Sequence, residues 1–363
     1  MTVYQQFARA GFDLNHAALN QLPILGIPDV WTRIAGQPNQ FAQANVFTTS
    51  GNNFRNPRSL QVAASIEHRT VGGIVLSYQF NLLNTVHLPR VVDFNVPEPT
   101  VRPGDLSLRP FFGLRSGTPR PNPNLGAVYV LDAGARSTYN GHSFRAQYRT
   151  KRLEFMAHYT LSYAKSNGDL QWPFVGTTYQ NPFDLSRERG WSSLDARHQS
   201  AGYVTYQAPK GFELTGLFRA RSGLPIDATT GDDLSELLTG SAGGRPLQRP
   251  GIPFARNAFR NLGYRTVDAR LLKSIPVRES VKLQFSAEFF NVFNFRNLAF
   301  ISAADYPNNP AFIYGPGVLP NGRTAAANPG FLTQRTSSGG FDPATMAQQG
   351  GPFQVQLGAR LLF

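Results

Sequence analysis

The segment VQLGARLLF, residues 355–363, carries the pattern that decides the fold. Val355, Leu357, Ala359, Leu361 and Phe363 share one parity, while Gln354, Gln356, Gly358 and Arg360 share the other. Side chains of a strand point alternately to its two faces, so this segment reads as a strand with one apolar and one wet face. What the apolar face touches is the question the rest of the chain answers.

The same alternation recurs upstream. SLQVAASIEH sets Leu60, Val62, Ala64 and Ile66 against Gln61, Ser65 and Glu67. GIVLSYQF groups Ile74, Leu76, Tyr78 and Phe80, and SFRAQYRT sets Phe144, Ala146 and Tyr148 against Arg145, Gln147 and Arg149. LEFMAHYTLSY opposes Leu153, Phe155, Ala157, Tyr159, Leu161 and Tyr163 to Glu154, His158, Thr160 and Ser162. FELTGLFRA, TVDARLL and VKLQFSAEF repeat the pattern, with Arg219, Asp268, Arg270 and Glu288 on their wet sides. AGYVTYQ, residues 201–207, is strand-like with its faces unassigned. With the last segment these make nine strands.

Their connections alternate in length. Short links fall near 69–73, 151–152, 208–211 and 276–280; long stretches rich in Gly, Pro and Asn fall at roughly 82–140, 164–196, 223–264 and 294–352. Four structureless loops of that size would be foreign to a compact soluble domain. Short turns at one end and long loops at the other are the habit of an outer-membrane barrel. One hairpin fixes a register: closing at Lys151-Arg152 pairs Arg149 with Glu154 on the wet face and Tyr148 with Phe155 on the apolar face. Lys-Arg is a poor two-residue turn, so a four-residue version with the same pairing is open.

Length chooses between a membrane and a second protein layer. Ten residues at about 3.3 Å each, tilted about 45°, cover about 23 Å, close to the ~25 Å apolar band of a transmembrane barrel. Sandwich strands typically run about 5–6 residues. No run of about 18 apolar residues is present, so no helix is expected to span a bilayer.

Composition agrees. Charged residues are 16% of the 363, against about 25% in average domains, while Phe (28), Tyr (13), Gly (34) and Pro (27) are plentiful. Aromatics with turn formers favour strands. The absence of cysteine excludes disulfides and thiolate metal sites. The net charge of +13 comes from arginines scattered singly, which reads as wet-face and loop arginine and not as a nucleic-acid surface. The opening MTVYQQFARAGFDLNH shows neither the basic start nor the apolar core of a secretion signal.

Catalytic and metal motifs are weak. His16, His68, His87, His142, His158 and His198 form no close ligand pair. Ser162 to Lys165 fits SxxK formally but ends a strand, where that pair normally opens a helix. Asp232, Asp233 and Glu236 in GDDLSELL offer oxygen ligands for calcium but lack the glycine and spacing of an EF-hand, and read better as a short helix capped by Asp. The GSAGG run, 240–244, follows no strand and is no phosphate cradle. In EFFNVFNF the parity breaks at Phe290 and Phe293, which places the strand's entry to the outer interface at Asn291. No cofactor and no catalytic residue is expected.

Several stretches resemble the C-terminal part of TonB-dependent receptors, of the Oar-like group. RTVDARLLKSIPV, LQFSAEFFNVFNFRN and VQLGARLLF follow that family's closing order; SSLDARHQSAGYVTYQAPKGF, FRARSGLPID, YNGHSFRAQYRTKR, NPRSLQVAASIEHR and HLPRVVDFNVP match preceding hairpins. The resemblance covers about residues 45–363. It implies an all-β, antiparallel up-and-down transmembrane barrel segment of about nine strands, an incomplete barrel with long extracellular loops and short periplasmic turns. Residues 1–57 are expected as an N-terminal extracellular or irregular segment and 58–363 as the C-terminal barrel part. The implied function is energised ligand uptake across the Gram-negative outer membrane. Partners would be outer-membrane lipid, the barrel assembly machinery reading Val355 to Phe363, a plug domain and further strands from outside this chain, and the TonB energy-transducing complex; nucleic acid is not among them. Arg145, Gln147, Arg149, Glu154, Arg219, Asp268, Arg270 and Glu288 would face the lumen and its plug. The family's plug, its TonB motif and its full 22 strands are missing, so the chain is expected to be a C-terminal piece. The rival readings are a secreted or surface β-rich adhesin or glycan binder, and an enzyme built on a barrel, for which no nucleophile and base converge.

Overall fold

The structure, a computed structural model, describes residues 46–49, 54–168, 179–237, 244–278, 280–301, 309–335, 338, 342–343 and 345–363. Nine strands follow one another as a single antiparallel meander. They are β1 (Arg58–Arg69), β2 (Val75–Asp93), β3 (Val128–Arg149), β4 (Leu153–Ser166), β5 (His198–Ala208), β6 (Phe212–Arg221), β7 (Tyr264–Arg278), β8 (Val281–Phe290) and β9 (Gln354–Leu362). Each pairs with its neighbours in sequence, from β1 at one edge to β9 at the other. Among the described residues the sheet does not close on itself, and β1 and β9 each have one edge with no strand paired to it.

The hairpin register follows the sequence pattern. Arg149 pairs with Glu154 and Tyr148 with Phe155. Lys151 and Arg152 are not among the residues with positive φ, so the turn is not of the primed types that usually close two-residue hairpins. Thr150 makes up the difference. Its N–H donates to the Leu153 carbonyl at 2.8 Å, and its Oγ1 accepts from the Leu153 N–H at 2.9 Å. A side-chain oxygen thus stands in for the backbone acceptor.

The β5 faces, unassigned from sequence, are fixed by pairing. Phe155, Ala157 and Tyr159 oppose Val204, Gly202 and Ser200, so the even residues of β5 share the apolar face. Ala201 and Gly202 carry no polarity signal, which is why the pattern was silent there. Gly202 has a packing role: a Cβ on it would lie 2.5 Å from Cε1 of Phe218, 2.6 Å from the Met156 carbonyl oxygen and 2.9 Å from the Ala157 Cα. Its absence lets the Phe218 ring lie across the neighbouring strand.

Several loop expectations are corrected. The stretch 82–140 is mostly strand at its ends: β2 has 19 residues and β3 has 22. At about 3.3 Å per residue β3 spans about 73 Å, so β2 and β3 project well past a ~25 Å apolar band. A register shift between Thr85 and Leu88, with His87 at φ 60, bends the ribbon where it would leave that band. Beyond it Arg90 grips Asp132 with two hydrogen bonds of 2.7 and 2.9 Å. Within the segment expected to be irregular, Val46–Thr49 runs parallel to Val128–Leu131. The short helix expected at Asp232 to Leu238 does not form over its described residues: 231–237 is a turn with Glu236 at φ 51, in which the Asp233 carboxylate accepts the Leu237 N–H at 3.1 Å. Leu238, and GSAGG apart from Gly244, lie outside the described residues, as does His16.

The sheet is one layer thick. Every residue of β1 is exposed, as are Leu76, Phe144, Leu214, Leu271, Phe285, Leu357 and Leu361 on the apolar side. The buried apolar clusters lie instead among the long loops. One joins Phe300, Ala311, Phe312 and Met346; the other joins Val96, Phe112 and Leu237. Loops 222–263 and 291–353 also carry short ribbons of their own, Pro225–Ile226 with Phe259–Arg260 and Leu298–Phe300 with Met346–Gln348. The loops are therefore a packed cap.

Candidate functional site

The polar face carries an extended arrangement of interacting side chains. Register places Arg145, Gln147, Arg149, Glu154, Arg219, Asp268, Arg270 and Glu288 all on it. Seven of these eight enter ion pairs. Arg149 meets Glu154 at 3.5 Å, Arg219 meets Asp268 at 3.7 Å and Arg270 meets Glu288 at 3.3 Å. Arg145 reaches past Ser77 to Glu67 at 3.2 Å. Gln147 lies between Val75 and Met156 on the same face.

Further hydrogen bonds on the same face extend these pairs into a belt, one of them reaching Glu154. The Tyr203 hydroxyl donates to Glu154 at 2.6 Å, Gln207 donates to Glu213 at 2.5 Å, and Gln284 donates to Ser274 at 3.1 Å. Hydroxyl pairs Ser59–Thr85, Ser143–Thr160 and Thr205–Thr215 fall at 2.8, 2.9 and 3.1 Å. The ion pairs are partly exposed, so each is worth about 0.2–1 kcal/mol to the fold. Their effect is to hold donors and acceptors in fixed rows with opposite charges cancelled locally. Tyr203 was not legible from sequence because its strand's faces were not.

The apolar face carries an aromatic row. Tyr78, Phe144, Tyr159 and Ser200 are consecutive partners across β2 to β5. Tyr78 and Phe144 rings lie 5.1 Å apart, and Phe144 and Tyr159 rings 6.4 Å apart. His142 and His198 lie in the adjacent row on the same face, where the Tyr78 and Tyr159 hydroxyls meet their Nδ1 atoms at 2.9 and 2.7 Å. Lys273 also projects from this face. It lies 4.2 Å over the Phe212 ring and donates to the Lys210 carbonyl at the β5–β6 turn, the posture of an amine snorkelling toward a membrane surface.

At the long-loop end, loop residues build a buried polar cluster. Glu188 accepts from Arg245 at 2.7 Å and from the Gln180 N–H at 3.1 Å. Burial pushes the Glu188 carboxyl up, outweighing Arg245. Burial also lowers Arg109 to about 10 and raises Tyr179 to about 12. Asp195 is gripped by Arg197 and Arg260, and Arg197 lies 4.2 Å over Trp191. These groups come from three separate loops, and nothing local in the sequence brings them together.

The motifs set aside behave as structural groups. Ser162 and Lys165 fall on opposite faces; the Ser162 hydroxyl donates to the Ala196 carbonyl at 3.1 Å and Lys165 lies 4.7 Å over Trp191. Asp233 faces Arg115 at 4.0 Å, and Glu236 accepts from Arg102 and from the Ser116 N–H, both at 2.8 Å. Among the described residues no cluster of three metal-ligating side chains occurs. Asn291 ends β8 at φ 50, and its side chain binds the backbone at Phe295 and Gly351.

Among solved structures, similarity is found to the copper transporter OprC (10% identity, TM-score 0.39, 86% of this chain and 33% of that one). It is also found to the outer membrane transporter YddB from Escherichia coli (9%, 0.43, 72% and 32%) and to the ferric-catecholate import receptor Fiu from E. coli (11%, 0.39, 90% and 31%). The chain thus spans about a third of the length of these proteins. No curated protein matches the sequence. A family model described as an outer membrane beta barrel domain matches residues 7–255 and 251–324. With that match over most of its length, the chain belongs to the outer membrane beta-barrel domain family.

Proposed function

We propose that the chain forms part of the barrel wall of a TonB-dependent receptor, which takes up a ligand across the outer membrane by an energised mechanism. The observation that carries this is the two-faced single sheet: nine strands bare on their apolar side and studded on the other with a fixed belt of donors and acceptors. The sandwich of a soluble adhesin would cover the apolar side with a second sheet. The polar belt faces inward and hydrogen-bonds a plug, with Gln147 free of the ion pairs to do so. The cap at the long-loop end contacts the ligand.

Strand direction supports a larger barrel. β1 and β9 point the same way because nine is odd, so pairing them directly would be parallel. Antiparallel closure, the rule for bacterial barrels, requires an odd number of strands beyond these nine. Unpaired edges in hydrocarbon would otherwise leave backbone groups unsatisfied. The apolar row Val355, Leu357, Ala359 and Leu361 on β9, with Phe363 just past its end, is the segment the assembly machinery reads.

The test places a cysteine at Gln147, and separately at Tyr148 on the opposite face, in the intact outer-membrane protein. A maleimide–benzophenone photocrosslinker attached to the cysteine should link position 147, and not 148, to a segment outside the wall. Linking from 148 alone would refute the assignment of faces. Uptake that continues after the inner-membrane motor is removed would refute energised transport.

A further inference from the structure

The geometry points to a binding pocket for the phosphate of a lipid headgroup, at the outer rim of the apolar face. A cavity of about 740 Å³ opens where β5, β6 and β7 meet the long loops. Arg221, Arg265, Arg296 and Arg335 line it with His198 and Phe295, and no acidic residue does. On the polar face of the wall, by contrast, Arg145, Arg149, Arg219 and Arg270 are each tied to a carboxylate. Among the described residues, none of the four arginines lining the cavity has a carboxylate partner.

The pocket is partly organised in advance. The Arg265 guanidinium lies 4.4 Å over the Phe295 ring, and the Arg265 N–H donates to Asn297 Oδ1 at 2.9 Å. Arg221 donates to Gln349 at 3.3 Å. Stacking orients a guanidinium while leaving its edge N–H groups for an oxyanion.

Its position selects the source of that oxyanion. Register puts Arg265 beside Ala220 and Ala220 beside Ser200, continuing the row Tyr78, Phe144, Tyr159 on the apolar face. An arginine on a lipid-facing surface is costly at mid-depth and tolerated near the interface. At the extracellular end of the strands it meets the headgroups of the outer leaflet. Arg296 and Arg335 join Arg265 around the cavity, with Arg221 reaching it from the polar side, where register sets it between Gln199 and Tyr264; such a cluster matches a phosphate that stays anchored in the membrane by its acyl chains. This inference rests on the apolar face meeting lipid.

The test uses the full-length protein purified from outer membranes in zwitterionic detergent. Three probes are titrated: a bis-phosphorylated glycolipid in the micelles, its phosphate-free counterpart, and inorganic phosphate. The phosphorylated glycolipid should bind, and the Arg265→Gln/Arg296→Gln double variant should weaken it about 30-fold, taking two charges near a membrane surface. Arg265→Lys/Arg296→Lys should retain much of the affinity, and a native heat-modifiable band in both variants shows that they fold. Equal binding of the phosphate-free lipid, or no loss in the double variant, overturns the pocket. Inorganic phosphate binding as tightly as the glycolipid overturns the lipid source. A spin label at Ser200→Cys tests the face separately. Quenching by oxygen in preference to a water-soluble nickel complex supports it; the reverse overturns the membrane orientation even where phosphate binds.

Discussion

Two adjacent residues on β6 offer the sharpest test of the wall. Phe218 lies on the apolar face between Gly202 and Val267, and Leu217 lies on the polar face between Tyr203 and Asp268. Phe218 is six residues above Phe212, whose ring lies under Lys273 at the inner surface. Six residues rise about 20 Å along the strand and, at a 45° tilt, about 14 Å across the membrane. That is near the middle of a ~25 Å apolar band, where an arginine costs about 2–4 kcal/mol. Phe218→Arg should therefore lower the stability of the intact protein in phospholipid vesicles by about that amount, read from the denaturant midpoint and the heat-modifiable band. Leu217→Arg gains Asp268 as a neighbour and should cost no more than about 1 kcal/mol. Equal losses, or a larger loss for Leu217→Arg, would refute the reading of the two faces.

Three further outcomes are expected. Gly202→Val would press a Cβ against the backbone of Met156 and Ala157, and should cost about 1–3 kcal/mol in the same unfolding assay; wild-type stability would show that the β4–β5 approach is not tight. Burial raises the folded pKa of Glu188, so the folded protein holds its proton more tightly than the unfolded chain. Stability from this group is present below its ordinary value of about 4.3 and is lost as pH rises through the raised value. Exchange protection of the Gln180 amide, corrected for intrinsic rates, should fall across that window, and Glu188→Gln should flatten the profile; an unchanged slope would count against the buried carboxyl as its source. Removing Phe363 from the intact protein should lower outer-membrane yield several-fold at unchanged synthesis, and full surface yield would dismiss a role in assembly.

The wall was legible because a strand facing lipid on one side and polar groups on the other writes its geometry into residue parity. Arg149, Glu154, Arg270 and Glu288 could be placed on one face from alternation, and the hairpin register from charge and aromatic pairing together. Parity failed where side chains are small, as at Ala201 and Gly202, and with it the position of Tyr203. It also misled about length, because β2 and β3 continue past the apolar band with mixed polarity and a bulge at His87. The cap was illegible: Glu188 and Arg245 are 57 residues apart, and Asp195 and Arg260 are 65 apart. Only the tertiary arrangement of loops brings them into contact.

The placement of apolar burial has a consequence for how such a protein changes over time. The wall draws its cohesion from lipid and from backbone pairing, whereas the cap holds itself together around Phe300, Phe312 and Met346 and around Phe112 and Val96. Two regions with separate sources of cohesion can drift at separate rates. Substitutions in the outer crown can accumulate without disturbing the staves beneath.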